Sequence, residues 1–240
     1  MKAIVLFLAA VAPCFGSWAE VTANRMNTCT QGSSGTQVVC TLPQTPTTGA
    51  MGIVYATDVG TGPVVSNIQQ TGSGCTWTKD EQSATNRMVS IWRCSPFSGG
   101  ANTTVTINFA STISNSNAGY YEFTGALSST PLDVGNIGSG NSTTPSPGAV
   151  TPTTTSSLIF GAYRRGGTLS SGSPSSGCTY VQDGTQSAMG IGYCITTSTS
   201  SVTMTFTVTS TGTWDSAVAV YKGTSAAAAS MPPVVNEERR

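Results

Sequence analysis

The chain has 240 residues, only 8% of them charged, and its ten basic side chains match ten acidic ones, so the formal net charge is zero. That balance leaves no basic field for nucleic acid and no cationic amphipathic stretch for a membrane surface. Histidine is absent, which excludes Ser-His-Asp and Cys-His catalysis and every histidine-ligated zinc site.

In chain order, Met1-Lys2 is a short basic segment and residues 3–12 are an apolar run. Ser17 and Ala19 then place small residues where a signal peptidase reads them, which predicts a signal peptide over 1–19 and cleavage between Ala19 and Glu20. The apolar run is shorter than the roughly 20 residues that span a bilayer. Pro13 before Cys14 argues against lipoprotein processing, and no other stretch is built to cross a membrane. A secreted product is therefore expected, extracellular or periplasmic. It keeps Cys29, Cys40, Cys75, Cys94, Cys178 and Cys194, an even set that predicts disulfides in an oxidising compartment.

Residues 20–130 and 149–225 read as two copies of one unit. Gly74-Cys75-Thr76-Trp77-Thr78-Lys79-Asp80 returns as Gly177-Cys178-Thr179-Tyr180-Val181-Gln182-Asp183. A second cysteine follows in each copy, Cys94 and Cys194. Alternating strands come next, with Val105, Ile107 and Phe109 on one face in the first copy and Val202, Met204, Phe206 and Val208 in the second. Each copy closes on an aromatic-rich strand ending at Gly125 or Gly223. The order predicts Cys29–Cys40, Cys75–Cys94 and Cys178–Cys194, with pairing across copies as the alternative. Residues 131–148 are rich in Gly, Ser, Thr and Pro and read as a linker or long loop. Residues 226–240 lack periodicity and read as a disordered tail.

No window carries a helical stripe, so the fold class is all-β: an antiparallel sandwich of jelly-roll or immunoglobulin-like type, formed by the two duplicated units. Two sandwiches in series would satisfy the pattern. A single sandwich shared by both copies is preferred, because each copy alone offers few large apolar residues.

The residues Gly74 to Trp77, Ile91-Trp92, Thr104 to Phe109 and Tyr121 to Gly125 resemble a loose group of bacterial secreted and phage-borne β-sandwich modules. The second copy resembles them through Gly177 to Tyr180, Val202 to Phe206 and Val220 to Gly223. The resemblance implies a surface or adhesion module rather than an activity, and the paired cysteines depart from it.

Candidate binding residues are those that differ between the copies. Trp92 aligns with Gly192, and Tyr120 and Trp214 lack aromatic counterparts, so all three are candidates for stacking on sugar rings or anchoring a protein. Glu122 aligns with Val220 and is the most notable carboxylate for a two-carboxylate hydrolase. Arg164 and Arg165 are candidates for clamping an anion, against the simpler reading of a solvated loop. Asp80 and Asp183 are expected in hairpin turns rather than in a calcium loop. Asn102 and Asn141 open glycosylation sequons. No metal or cofactor is implied. These readings lead to a non-catalytic secreted or cell-surface module that binds a glycan or a surface protein. Self-association into an extracellular or virion structure is the alternative, and a secreted glycoside hydrolase ranks last.

Overall fold

The computed structural model describes residues 18–31, 35–60, 62, 64–113, 115–125, 127–165, 178–181 and 189–223. The predicted signal peptide up to residue 17, the tail from 226 and Asp183 lie outside them.

The strands in chain order are β1 (Ala19–Glu20), β2 (Thr30–Gln31), β3 (Gln37–Thr41), β4 (Met51–Asp58), β5 (Val65–Gln69), β6 (Thr78–Ser83), β7 (Met88–Cys94), β8 (Thr104–Phe109) and β9 (Asn117–Thr124). The chain continues through β10 (Leu127–Ser142), β11 (Ala149–Val150), β12 (Ser157–Arg165), β13 (Thr179–Val181), β14 (Met189–Thr196), β15 (Val202–Thr203) and β16 (Gly212–Gly223). One 3₁₀ turn, Thr22–Asn24, interrupts them. All pairings are antiparallel.

Four sheets result, with orders β2-β3-β8-β5, β1-β9-β4-β7-β6, β10-β16-β12-β14-β13 and β11-β15. They stack in that sequence around three cores. Period-2 alternation makes this possible, because each central strand sends successive side chains to opposite faces. Along β4, Val54 and Ala56 face the first sheet together with Val105, Ile107 and Phe109 of β8. Met51, Ile53 and Tyr55 face the other way, toward Leu158, Phe160 and Ala162 of β12. From β12, Ile159 and Tyr163 then face Met204, Phe206 and Val208. Every residue of β4 and β12 is buried, so both read as near-continuous apolar runs. Tyr121 meets Phe160 edge-on at 5.3 Å, and Phe123 meets Tyr193 at 5.2 Å, which locks the two middle sheets together.

The arrangement is two sandwiches back to back rather than one. Each half of the chain closes its own core, and the two inner sheets close a third. The single shared sandwich failed as an expectation because it allowed the inner strands only one apolar face.

Two further expectations are corrected. Residues 131–148 are not simply a linker, because most of β10 falls in them and pairs with β16 from Leu132↔Tyr221 to Ser142↔Gly212. Its glycines conceal the strand: Gly135 lies under the Glu81 side chain and Gly140 under the Trp214 ring. Asp80 is not in a turn. It lies in β6 at a bulge, where the register to β7 slips between Lys79 and Glu81. A bulge re-aims a side chain. Here the Asp80 carboxylate pairs with Arg93 of β7 and accepts a hydrogen bond from the Tyr221 hydroxyl of β16 at 2.8 Å.

The cysteines pair as Cys29–Cys40, Cys75–Cys94 and Cys178–Cys194. Each bridge joins residues 11 to 19 positions apart, within its own half of the fold.

Candidate functional site

All six residues selected from the sequence are buried. Trp92 is 7% exposed, on the face of β7 that fills the first core, with the Lys79 ammonium 6.0 Å from its ring. Tyr120 is fully buried in the same core. Trp214 is covered, and its Nε1 donates to Ser142 Oγ at 3.0 Å. None of these rings offers a face for a sugar.

Glu122 is a structural carboxylate. Its Oε2 accepts from Asn24 Nδ2 at 2.7 Å and from the Tyr120 hydroxyl at 3.1 Å, and its Oε1 accepts from the Thr47 amide at 2.8 Å. Asn24 Oδ1 in turn accepts from the Gln44 amide at 3.1 Å. One charge thus ties the 3₁₀ turn and the loop before β4 onto β9. Burial, together with this neighbouring carboxylate, pushes the Tyr120 hydroxyl well above the usual phenol range.

Arg164 and Arg165 are 1% exposed at the end of β12, not on a solvated loop. Arg164 Nη2 donates to the Asn115 carbonyl at 2.9 Å and to Asn115 Oδ1 at 3.1 Å, and Arg165 Nη2 donates to Ser210 Oγ at 2.8 Å. Beside them on β16, Asp215 Oδ1 accepts from Ser83 Oγ and the Thr85 amide, and its Oδ2 from the Asn86 and Arg87 amides. Asp58 accepts from the Gly60 amide at 2.6 Å and from Ser116 Oγ. The guanidinium groups and carboxylates at this end of the molecule hold loops in place.

The concave feature the sequence reading missed is a groove of about 620 Å³ beside β5. Asn67, Ile68, Gln69 and Gln70 form one wall, Thr71 and Ser73 the end, and Cys75, Thr76 and Trp77 the other wall. Its size lies within the usual range for small-ligand sites, and no charged residue lines it.

Local chemistry fixes the walls. The Cys75–Cys94 bridge anchors the Trp77 side to β7. The Trp77 ring packs edge-on against Phe97 and Tyr120, each at 6.4 Å. Its outer edge fills the space above Gly52, where a β-carbon would lie 2.6 Å from the Phe97 ring and 3.1 Å from Trp77 Cη2. Trp77 is 8% exposed, and its Nε1 has no hydrogen-bond partner among the described residues. On the facing wall Gln70 Nε2 donates to the Asn102 carbonyl at 2.7 Å, while its Oε1 is buried without a partner there. Both atoms are buried, so what the groove presents is a rim of side-chain amides.

The signal for this site was present in the sequence. The amide run Asn67 to Gln70 sits a few residues before Cys75-Thr76-Trp77, and both segments line the groove. The Tyr180 side chain lies outside the described residues.

Among the described residues no group of three or more metal-ligating side chains converges, and no helix is long and apolar enough to cross a membrane. No family model, curated protein or solved structure matches the chain.

Proposed function

We propose that the protein is a non-catalytic secreted or cell-surface recognition module whose groove beside β5 takes a neutral, hydroxyl-rich ligand, a glycan. One observation carries this reading: the groove is free of charged side chains and is lined by the amides of Asn67, Gln69 and Gln70. Hydroxyls are donor and acceptor at once, so a sugar can pair with both ends of an amide. The three disulfides accord with an oxidising destination.

The two halves are copies of one unit in this reading. Four registers support it. Gly52 lies opposite both Cys94 and Glu122, and Ile159 lies opposite both Cys194 and Val220. The central three strands therefore match position for position, with Glu122 equivalent to Val220. The neutral groove belongs to the first copy.

Binding of the disulfide-intact protein to an array of neutral oligosaccharides and to bacterial cell-wall fractions tests the proposal. Gln70→Ala and Trp77→Phe are expected to abolish saturable binding, with Gln70→Ala folding normally. Binding that survives both substitutions, or none by the parent protein, overturns it.

A second reading, self-assembly, draws on β10. This strand is at the edge of its sheet, and its Ile137 is 47% exposed. Against it, Asn136 Oδ1 already accepts the Ile137 amide at 3.0 Å. Concentration-dependent oligomers that Ile137→Lys removes would favour assembly over recognition. The hydrolase reading finds little support among the described residues, where Glu122, Asp58 and Asp215 are committed to protein donors.

A further inference from the structure

The geometry points to a different processing site: the exported chain is cut on the N-terminal side of Ser17, and Trp18 stays in the mature protein. The inference rests on the export reading above and replaces the expected cut between Ala19 and Glu20.

Trp18 is 3% exposed and belongs to the core between the two inner sheets. The residues after it are equally built in. Ala19 pairs with Thr124 and Glu20 with Phe123 in β1, and the Val21 amide donates to the Glu122 carbonyl at 2.7 Å. Gly125 is shaped to this path. It holds φ +152°, and a β-carbon there would lie 3.1 Å from Trp18 Cα and 3.4 Å from Trp18 Cδ2. A side chain at residue 125 would press on the chain where Trp18 crosses it.

A cut after Ala19 would remove the indole from the central core and delete half of the β1 pairing. It would also place a new ammonium at Glu20. That residue's side chain is 4% exposed, pairs with Arg25, and accepts a hydrogen bond from the Tyr193 hydroxyl at 2.8 Å. The cation would enter a site that already holds the Arg25 guanidinium. A cut before Ser17 avoids all three losses. Cys14 and Gly16 then supply the small residues at the two positions the peptidase reads, as Ser17 and Ala19 do for the later cut. Cys14 leaves with the leader in either case, so the mature cysteines stay even.

The test is expression of the full chain in a secreting bacterial host, followed by intact-mass measurement and N-terminal sequencing of the disulfide-intact product from each cell fraction. An N-terminus at Ser17 in the periplasm or medium is expected. An N-terminus at Glu20 in that fraction overturns the proposal while leaving export standing. Uncut chain confined to the cytoplasm overturns the proposal and the export reading together. As a second measurement, chains beginning at Ser17 and at Glu20 are refolded and melted side by side. The shorter chain is expected to melt about 10 °C lower, as for loss of a large buried aromatic, and equal melting temperatures overturn the argument from burial.

Discussion

Asp215 joins the two halves of the fold through a single side chain, which makes Asp215→Ala the sharpest test of how the halves cohere. Its carboxylate, on β16, accepts from Ser83 Oγ and from the Thr85, Asn86 and Arg87 amides of the β6–β7 hairpin. Hydrogen bonds to a charged acceptor contribute about 1.5–3 kcal/mol each, but water recovers part of that where a donor is exposed. Thr85 is exposed and Asn86 and Arg87 partly so, while Ser83 and Asp215 are buried. The expected cost is therefore well below four full bonds, about 3–4 kcal/mol, and close to that for breaking a buried charged pair. At about 2–4 °C per kcal/mol for a chain of this size, the melting temperature should fall by about 10 °C. Asp215→Asn keeps one acceptor oxygen and turns an amide toward the other donors, so about half that loss is expected. Circular dichroism melts and urea titrations of the three proteins read the effect. A change of under about 2 °C in Asp215→Ala would refute the claim that this carboxylate couples the halves.

Replacing Cys75 and Cys94 together by serine should cost about 3 kcal/mol from the 19-residue closure and weaken ligand capture by loosening the Trp77 wall, checked by melting and array binding of the same sample. Glu81 gives a pH signature. Burial over Gly135 pushes its carboxyl above the usual range, so the fold favours the protonated form. That stability is complete below the ordinary carboxyl value near 4.5 and is lost as pH rises through the raised one. Glu81→Gln should therefore raise the melting temperature at pH 7 by about 1–2 °C, a gain limited by partial solvent screening, and leave it unchanged at pH 4.

The outer sheets were legible in the sequence because one face of each strand meets water. Val105, Ile107 and Phe109 are buried while Thr104 is exposed, and Met204, Phe206 and Val208 are buried between polar neighbours. The disulfide pairing matches the one expected from the order of the cysteines along the two halves. The inner sheets were not legible in the same way. A strand buried on both faces has no polar side to mark an outside, so a residue that differs between aligned segments looks like a functional insertion. Trp92 shows the error. A β-carbon on Gly192, the residue aligned with it, would lie 3.5 Å from Met204 Sδ and 3.6 Å from the Phe206 ring. The second core fills from the facing strand the volume that the first fills with an indole. Glu122 against Val220 is the same exchange in polar form, its charge satisfied by a turn and a loop that the first half supplies.

The third core explains why the halves occur in one chain. A unit ending at β9 would expose Met51, Ile53, Tyr55, Val89, Ile91, Tyr121 and Phe123 on a single sheet face. An apolar patch of that extent is unstable in water and drives association. The second half supplies a sheet of the same strand order, so β4 lies across β12, and the Phe123–Tyr193 contact sets β9 over β14. Two separate units would meet the same way only in a bimolecular, concentration-dependent encounter, whereas a covalent link makes it intramolecular. β10 is that link, and it also serves as the edge strand of the second inner sheet. The connection thus contributes to the sheet itself, which accounts for strand through Ser142 where composition pointed to a linker or long loop over 131–148.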